Sequence, residues 1–187
     1  MSSVAPLLCL CGVLLLSVGC ARVSSETTSP VAATRGIEQP RSPAESFQRG
    51  AELATRGQYT AAEQALAAAL EGGYPAARVV PLLLDVCSKT ARFGMAVSYA
   101  APYLRLNPGD FQLRYRVATV LFELGRYDEV RSELSRVLDS APNHARAHYL
   151  LALTLRDHFA DEAQAARHFA AYHRLEAQGS TQRSGVL

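Results

Sequence analysis

From Phe111 to His144 the apolar residues recur with helical spacing twice over, on either side of a break at Gly125. Val117, Ala118 and Leu121 mark the apolar stripe of a first helix, and Tyr127, Val130, Leu134 and Val137 follow at spacings of three and four on a second. The same pattern stands one interval of 34 residues earlier, and again before that. Tyr127 is preceded by Phe93 and Tyr59, Val130 by Ala96 and Ala62, Val137 by Tyr103 and Ala69, and Pro142 by Pro108. A helix pair of this size cannot bury its apolar face alone, so the period predicts a stack of copies rather than an isolated motif.

The period divides the chain into units at 43–76, 77–110, 111–144 and 145–178, each with a helix A, a turn and a helix B. In the first, Phe47, Gly50 and Leu53 share a face of helix A, Gly57-Gln58-Tyr59 makes the turn, and Ala62, Leu66 and Ala69 lie on helix B. The second sets Leu83, Leu84 and Cys87 against Ala96, Ala100 and Tyr103 across Ala91-Arg92-Phe93. Pro81 is placed in the first turn of its helix, where the missing amide costs nothing, whereas Pro102 lies deep in helix B and predicts a bend. The fourth unit opens with Tyr149, Leu151, Ala152 and Leu155. Its turn, Asp157 to Asp161, lacks glycine, and placing Ala165, Phe169 and Tyr172 on the core face of helix B requires one inserted residue. No apolar helix follows; 179–187 reads as a flexible tail, with either Arg167, Arg174 and Gln178 solvating the last face or that face serving as a docking surface.

Small residues near the helix crossings, an aromatic residue after the turn and a proline near the end of a 34-residue unit resemble the tetratricopeptide repeat. The resemblance covers 43–178 and implies an all-α, right-handed α-solenoid of about four helix-turn-helix repeats. In that repeat type helix A lines the concave side. Repeat positions 2, 5, 9 and 12 then share the groove face by their spacing. They are Ala44, Phe47, Ala51 and Ala54; Arg78, Pro81, Asp85 and Ser88; Gln112, Tyr115, Thr119 and Phe122; and Arg146, Tyr149, Leu153 and Arg156. An aromatic line through Phe47, Tyr115 and Tyr149, edged by Arg78, Arg146 and Arg156, suits a peptide or helix of a partner protein; the alternative is that some of these rings pack between helices. The variant of this repeat that clamps the carboxylate of chaperone tails uses Lys and Asn at positions 5 and 9, where this chain has Phe47 and Ala51, then Pro81 and Asp85. That ligand class is not expected here.

The N-terminus adds an address. Val4 to Val18 is an apolar run of about fifteen residues, too short to span a bilayer comfortably but the length of a secretory signal core. It ends in Leu16-Ser17-Val18-Gly19-Cys20, which resembles the lipobox of bacterial lipoproteins. The resemblance implies a signal peptide over 1–19, acylation of Cys20 as the mature N-terminus, and, with Ala21 following, sorting to the periplasmic side of an outer membrane. The alternatives are an ordinary cleaved signal or a chance cysteine. From Ala21 to Pro43 the chain is rich in Ser, Thr and Pro, so 20–42 reads as the lipidated cysteine and a disordered tether. About twenty such residues span roughly 25 Å as a flexible coil.

Bulk numbers narrow the function classes. The chain has 187 residues, 49% hydrophobic, with a formal net charge of +2, and its arginines are scattered, so nucleic acid is not advertised as a partner. Of four cysteines, Cys9, Cys11 and Cys20 fall in the first twenty residues, and Cys87 alone in the body, so no disulfide framework is on offer. Cys87 sits at a core position where thiols are inert. His144 and His148 are four apart without a third ligand, and His144 precedes the helix. His168 and His173 diverge. Asp157, Asp161 and Glu162 fall at a turn and a helix start, where capping explains them. With no phosphate loop, metal set or nucleophile elbow, the chain reads as a non-enzyme without cofactor, metal or small-molecule substrate.

The expected function is a membrane-anchored scaffold for protein–protein interaction in the bacterial envelope. Within that class the resemblance implies help in assembling a pilus or secretion machine. Alternatives are an adaptor that recruits or regulates a periplasmic cell-wall hydrolase, and an enzyme using the histidines of the fourth unit.

Overall fold

The computed structural model describes residues 42–184, with side chains placed to Gln178. The signal, Cys20 and the tether lie outside the described residues. Eight helices follow in order: α1 (Pro43–Thr55), α2 (Tyr59–Glu71), α3 (Ala76–Lys89), α4 (Phe93–Leu106), α5 (Phe111–Glu123), α6 (Tyr127–Ser140), α7 (Ala145–Phe159) and α8 (Glu162–Ser184). Among the described residues there is no strand. Each helix packs on its neighbours in the chain, α3 also touches α1 and α5, and Tyr115 and Phe122 of α5 meet the rings of His144 and His158 at the two ends of α7, so the A helices of successive repeats adjoin.

Local chemistry sets the boundaries. Ser42 and Glu45 form a reciprocal capping box at the start of α1, with Pro43 in the first turn. Asp110 caps α5, His144 caps α7 through its own ring nitrogen, and Asp161 accepts the amide of Gln164 at the start of α8. The A-to-B turns share one backbone demand. Gly57 and Gly125 have φ of +73° and +71°, and Ala91 and Ala160 adopt the same left-handed conformation at 54° and 51°. The spacing from Gly125 to Ala160 is one residue longer than the period, which is the inserted residue the fourth repeat requires.

The crossing of A on B is set by a size exchange. A Cβ on Gly50 would lie 2.6 Å from Cγ of Leu66, so α1 and α2 meet there without room for a methyl group. The same pair of repeat positions holds Leu84 with Ala100, Ala118 with Leu134, and, after the insertion, Ala152 with Phe169. One member is large and the other small each time, with the order reversed in the second repeat. These residues belong to a core running through all four repeats, with Leu66, Leu83, Leu84, Leu121, Leu134, Val130 and Val137 fully or almost fully buried.

Repeat positions 3, 7 and 10 of helix A show which repeat is terminal. They hold Val79, Leu83 and Val86 in α3, Leu113, Val117 and Val120 in α5, and Ala147, Leu151 and Thr154 in α7, all buried against the preceding helix B. In α1 the same positions are Glu45, Arg49 and Glu52, all exposed. The outer face of the first repeat is therefore charged, as a terminal repeat of a stack must be.

Two expectations need correction, at Pro81 and at the C-terminus. α3 begins at Ala76, behind Pro75 at the cap, so Pro81 stands in the helix interior rather than its first turn; the alanines after Pro75 extend the helix towards the N-terminus. α4 is continuous through Pro102, which is compatible with the expected bend there, and Pro102 and Ser98 are both exposed, so the lost amide bond falls on the solvated side. α8 does not end near Gln178 but continues to Ser184, into the stretch expected as a tail, where only Gln182 and Arg183 are good helix formers. Its exposed Arg167, Arg174 and Gln178 give the last helix its own polar outer surface.

Candidate functional site

The face lined by α1, α3, α5 and α7 carries the candidate groove. Its predicted aromatic line is not one cluster. Phe47 is half-buried and stacks on Tyr74 at 4.6 Å between ring centroids, with the Arg78 guanidinium 5.1 Å from its centre. Tyr115 is half-buried against the ring of His144 at 4.6 Å, and burial raises its hydroxyl pKa. Phe122 meets Tyr127 and His158 edge-on, and Tyr127 stacks on His158, so the aromatic residue after the third turn bridges to the fourth repeat. Tyr149 keeps 42% of its surface exposed while touching Phe169 and Tyr172. Among the three rings of the predicted line, Tyr149 is thus the one that offers substantial free surface.

The polar lining residues divide into paired and unpaired groups. Arg116, beside the lining positions of α5, donates to the carboxylate of Asp85 and, at 2.9 Å, to the carbonyl of Pro81, tying α5 to α3 across the groove floor. Thr119 and Ser88 turn their hydroxyls back to the carbonyls of Arg116 and Leu84. Arg156 makes two hydrogen bonds to neighbouring Asp157, which hold the Asp157 carboxyl below the usual carboxylate range. Gln112, Arg78 and Arg146 are exposed, Leu153 is half-buried, and neither Arg78 nor Arg146 has a carboxylate partner among the described residues.

The groups weighed for catalysis have structural surroundings. Cys87 is fully buried, and burial, reinforced by the charge of Glu63, pushes its thiol up to about 11. His144 accepts the amide of Ala147 at 3.1 Å, and burial lowers its pKa. His148 pairs not with His144 but with His168 of α8, ring nitrogen to ring nitrogen at 2.9 Å, while its other nitrogen faces the Pro142 carbonyl at 2.9 Å. Burial and the charge of His148 lower the pKa of His168. Among the described residues no three His, Cys, Asp or Glu side chains are grouped to hold a metal ion. No described helix is long and apolar enough to cross a membrane.

Two buried ionic contacts were not foreseen. Glu63 of α2 is buried and receives Arg92 at 2.6 Å from the next repeat, with the Tyr99 hydroxyl at 3.4 Å. Arg114, 5% exposed, pairs with Glu133 at 2.5 Å and donates to the Pro108 carbonyl. The second pair helps line a recess of about 560 Å³ between α4, α5 and α6. An apolar-looking period gave no cue to either, because Glu63, Arg114 and Glu133 each stand at a position that carries no like charge in the other repeats.

A family model described as tetratricopeptide repeat matches residues 89–153. No curated protein matches the chain in sequence. Among solved structures, MamA of strain AMB-1 is 21% identical with a TM-score of 0.65, covering 76% of this chain and 77% of that one. MamA from Desulfovibrio magneticus RS-1 is 19% identical with a TM-score of 0.66, covering 75% and 78%. YrrB, described as a TPR protein with an unusual peptide-binding site, is 21% identical with a TM-score of 0.65, covering 72% and 69%. Residues 89–153 thus carry a tetratricopeptide repeat, and the described chain has the solenoid fold of that repeat.

Proposed function

We propose that this chain is a scaffold for protein–protein interaction that receives a peptide or helix of a partner on the face lined by its A helices. The observation that carries this reading is the fourth repeat. Exposed Tyr149 stands one turn from unpaired Arg146 and beside half-buried Leu153, giving rigid apolar area with a charged edge. The inert surroundings of Cys87 and the capping and packing duties of the histidines favour binding over catalysis. The peptide-binding site named for YrrB, a protein of the same fold, is consistent with it.

We further infer that the scaffold is held by a lipid on Cys20 at the periplasmic side of an outer membrane and helps assemble an envelope machine, with support from the apolar run and the Gly19-Cys20 junction. The test uses the full chain crosslinked in its own membranes. Tyr149→Ala combined with Leu153→Asp should lose the captured partner while helicity is retained; capture that survives the pair overturns the groove reading. Cys20→Ala should leave the membrane fraction and lose the mass of the acyl chains. A variant that stays membrane-bound at unchanged mass overturns the anchor.

A further inference from the structure

We infer that the partner segment is acidic, with two carboxylates about six residues apart in an extended chain; this rests on the groove reading above. The lining positions carry four charged residues: Arg78, Asp85, Arg146 and Arg156. Asp85 is neutralised by Arg116, and Arg156 by Asp157. What is left is Arg78 on α3 and Arg146 on α7, both exposed and without a carboxylate partner among the described residues, and no unpaired carboxylate at any lining position. One position outward, Lys89 and Glu123 oppose each other in sign and leave the balance unchanged. Two fixed cations on an otherwise neutralised surface favour an anion at each and repel a basic segment.

Spacing makes the inference specific. Arg78 and Arg146 occupy the same position of helices two repeats apart. Adjoining helix axes lie roughly 10 Å apart, so the two helix positions stand about 20 Å from each other. An extended chain advances about 3.3 Å per residue, which places the two carboxylates about six residues apart. Arg78 is held by the Tyr74 hydroxyl at 3.0 Å and by the Phe47 ring, so its head is positioned before a ligand arrives. At the other end Tyr149 and Leu153 flank Arg146, so an apolar residue beside the second carboxylate completes the match. A guanidinium takes a carboxylate through two parallel hydrogen bonds, which a lysine in its place would not reproduce.

The full chain, labelled, is applied to an immobilised positional-scanning library of peptides about twelve residues long. Acidic residues should be enriched at two positions about six apart. Arg78→Gln should erase one enrichment and Arg146→Gln the other, each weakening the best peptides about tenfold, with binding falling as salt is raised. Both residues are exposed, so circular dichroism should be unchanged. Enrichment of neutral or basic residues, or an acidic preference indifferent to both substitutions, overturns the inference. So does equal binding of a thymidine oligonucleotide, which would make the surface a general polyanion site. If peptides without acidic residues bind and Tyr149→Ala abolishes that binding, the groove stands and its acidic character fails. If no peptide responds to any of the three substitutions, the groove reading itself fails.

Discussion

Replacing Gly50 with alanine sets two effects of opposite sign against each other. In an exposed helix interior the change would stabilise by about 1 kcal/mol, because glycine gives up more backbone freedom on folding. Here the new methyl would lie 2.6 Å and 2.8 Å from Cγ and Cδ2 of Leu66 and 3.2 Å from the Leu66 backbone nitrogen. Leu66 is fully buried and cannot swing into solvent, so the two helices must part. Overpacking of this kind costs about 1–3 kcal/mol. The net expectation is a loss of about 1 kcal/mol, read as a lower urea midpoint by helicity at unchanged slope. Leu66→Ala alone should cost about 3 kcal/mol through the cavity it leaves. In that background Gly50→Ala should turn stabilising, since the clash is gone and the methyl fills part of the hole, giving a coupling of about 2 kcal/mol. A rise in stability from Gly50→Ala alone, or additive effects in the double variant, would refute the close approach of α1 and α2.

The turns offer a paired test: Gly125→Ala should cost about 1 kcal/mol, whereas Ala91→Gly at the equivalent left-handed position should gain about 0.5 kcal/mol, both read by urea unfolding. His144 and His168 have folded pKa values below the ordinary 6.5, so the unfolded chain takes up protons first. Their stabilising effect is therefore complete above about pH 6.5 and is lost as pH falls from there towards their lowered values, and His168→Gln should flatten part of that slope in unfolding curves between pH 8 and pH 5. Cys87 shifts the other way: with its thiol at about 11 against an ordinary 9.0, stability should decline as pH rises through that interval. Mass mapping after iodoacetamide treatment should find Cys87 unmodified in the native chain at neutral pH and modified in urea.

Much of the fold was legible because a stack repeats its instructions. The period located eight helices, the inserted residue of the fourth unit and the inert position of Cys87. It failed where one residue type does not announce its conformation. Gly57 and Gly125 signal a left-handed turn, but Ala91 and Ala160 adopt it under pressure from the packed helices on either side, and nothing in alanine says so. It failed again with Glu63 and Arg114, because their partners Arg92 and Glu133 lie 29 and 19 residues away on other elements, a pairing that no helical spacing announces.

For the candidate groove the sequence assigns positions on the A helices and no more, because availability depends on pairing as well as position. Arg78, Arg146 and Arg156 look alike in sequence, yet Asp157 occupies the last of them, and Arg116, outside the lining positions, occupies Asp85. The useful sequence signal lies in departures from the repeat. Glu45, Arg49 and Glu52 stand where every later repeat buries uncharged residues, and that substitution alone marks α1 as terminal. In the same way Arg78 and Arg146 replace Ala44 and Gln112 at position 2 of alternate repeats. Position 2 is exposed in all four repeats, so packing does not dictate a charge there. Charges at alternate repeats give the face a spacing of two repeats, and that spacing is what the proposed acidic segment would match.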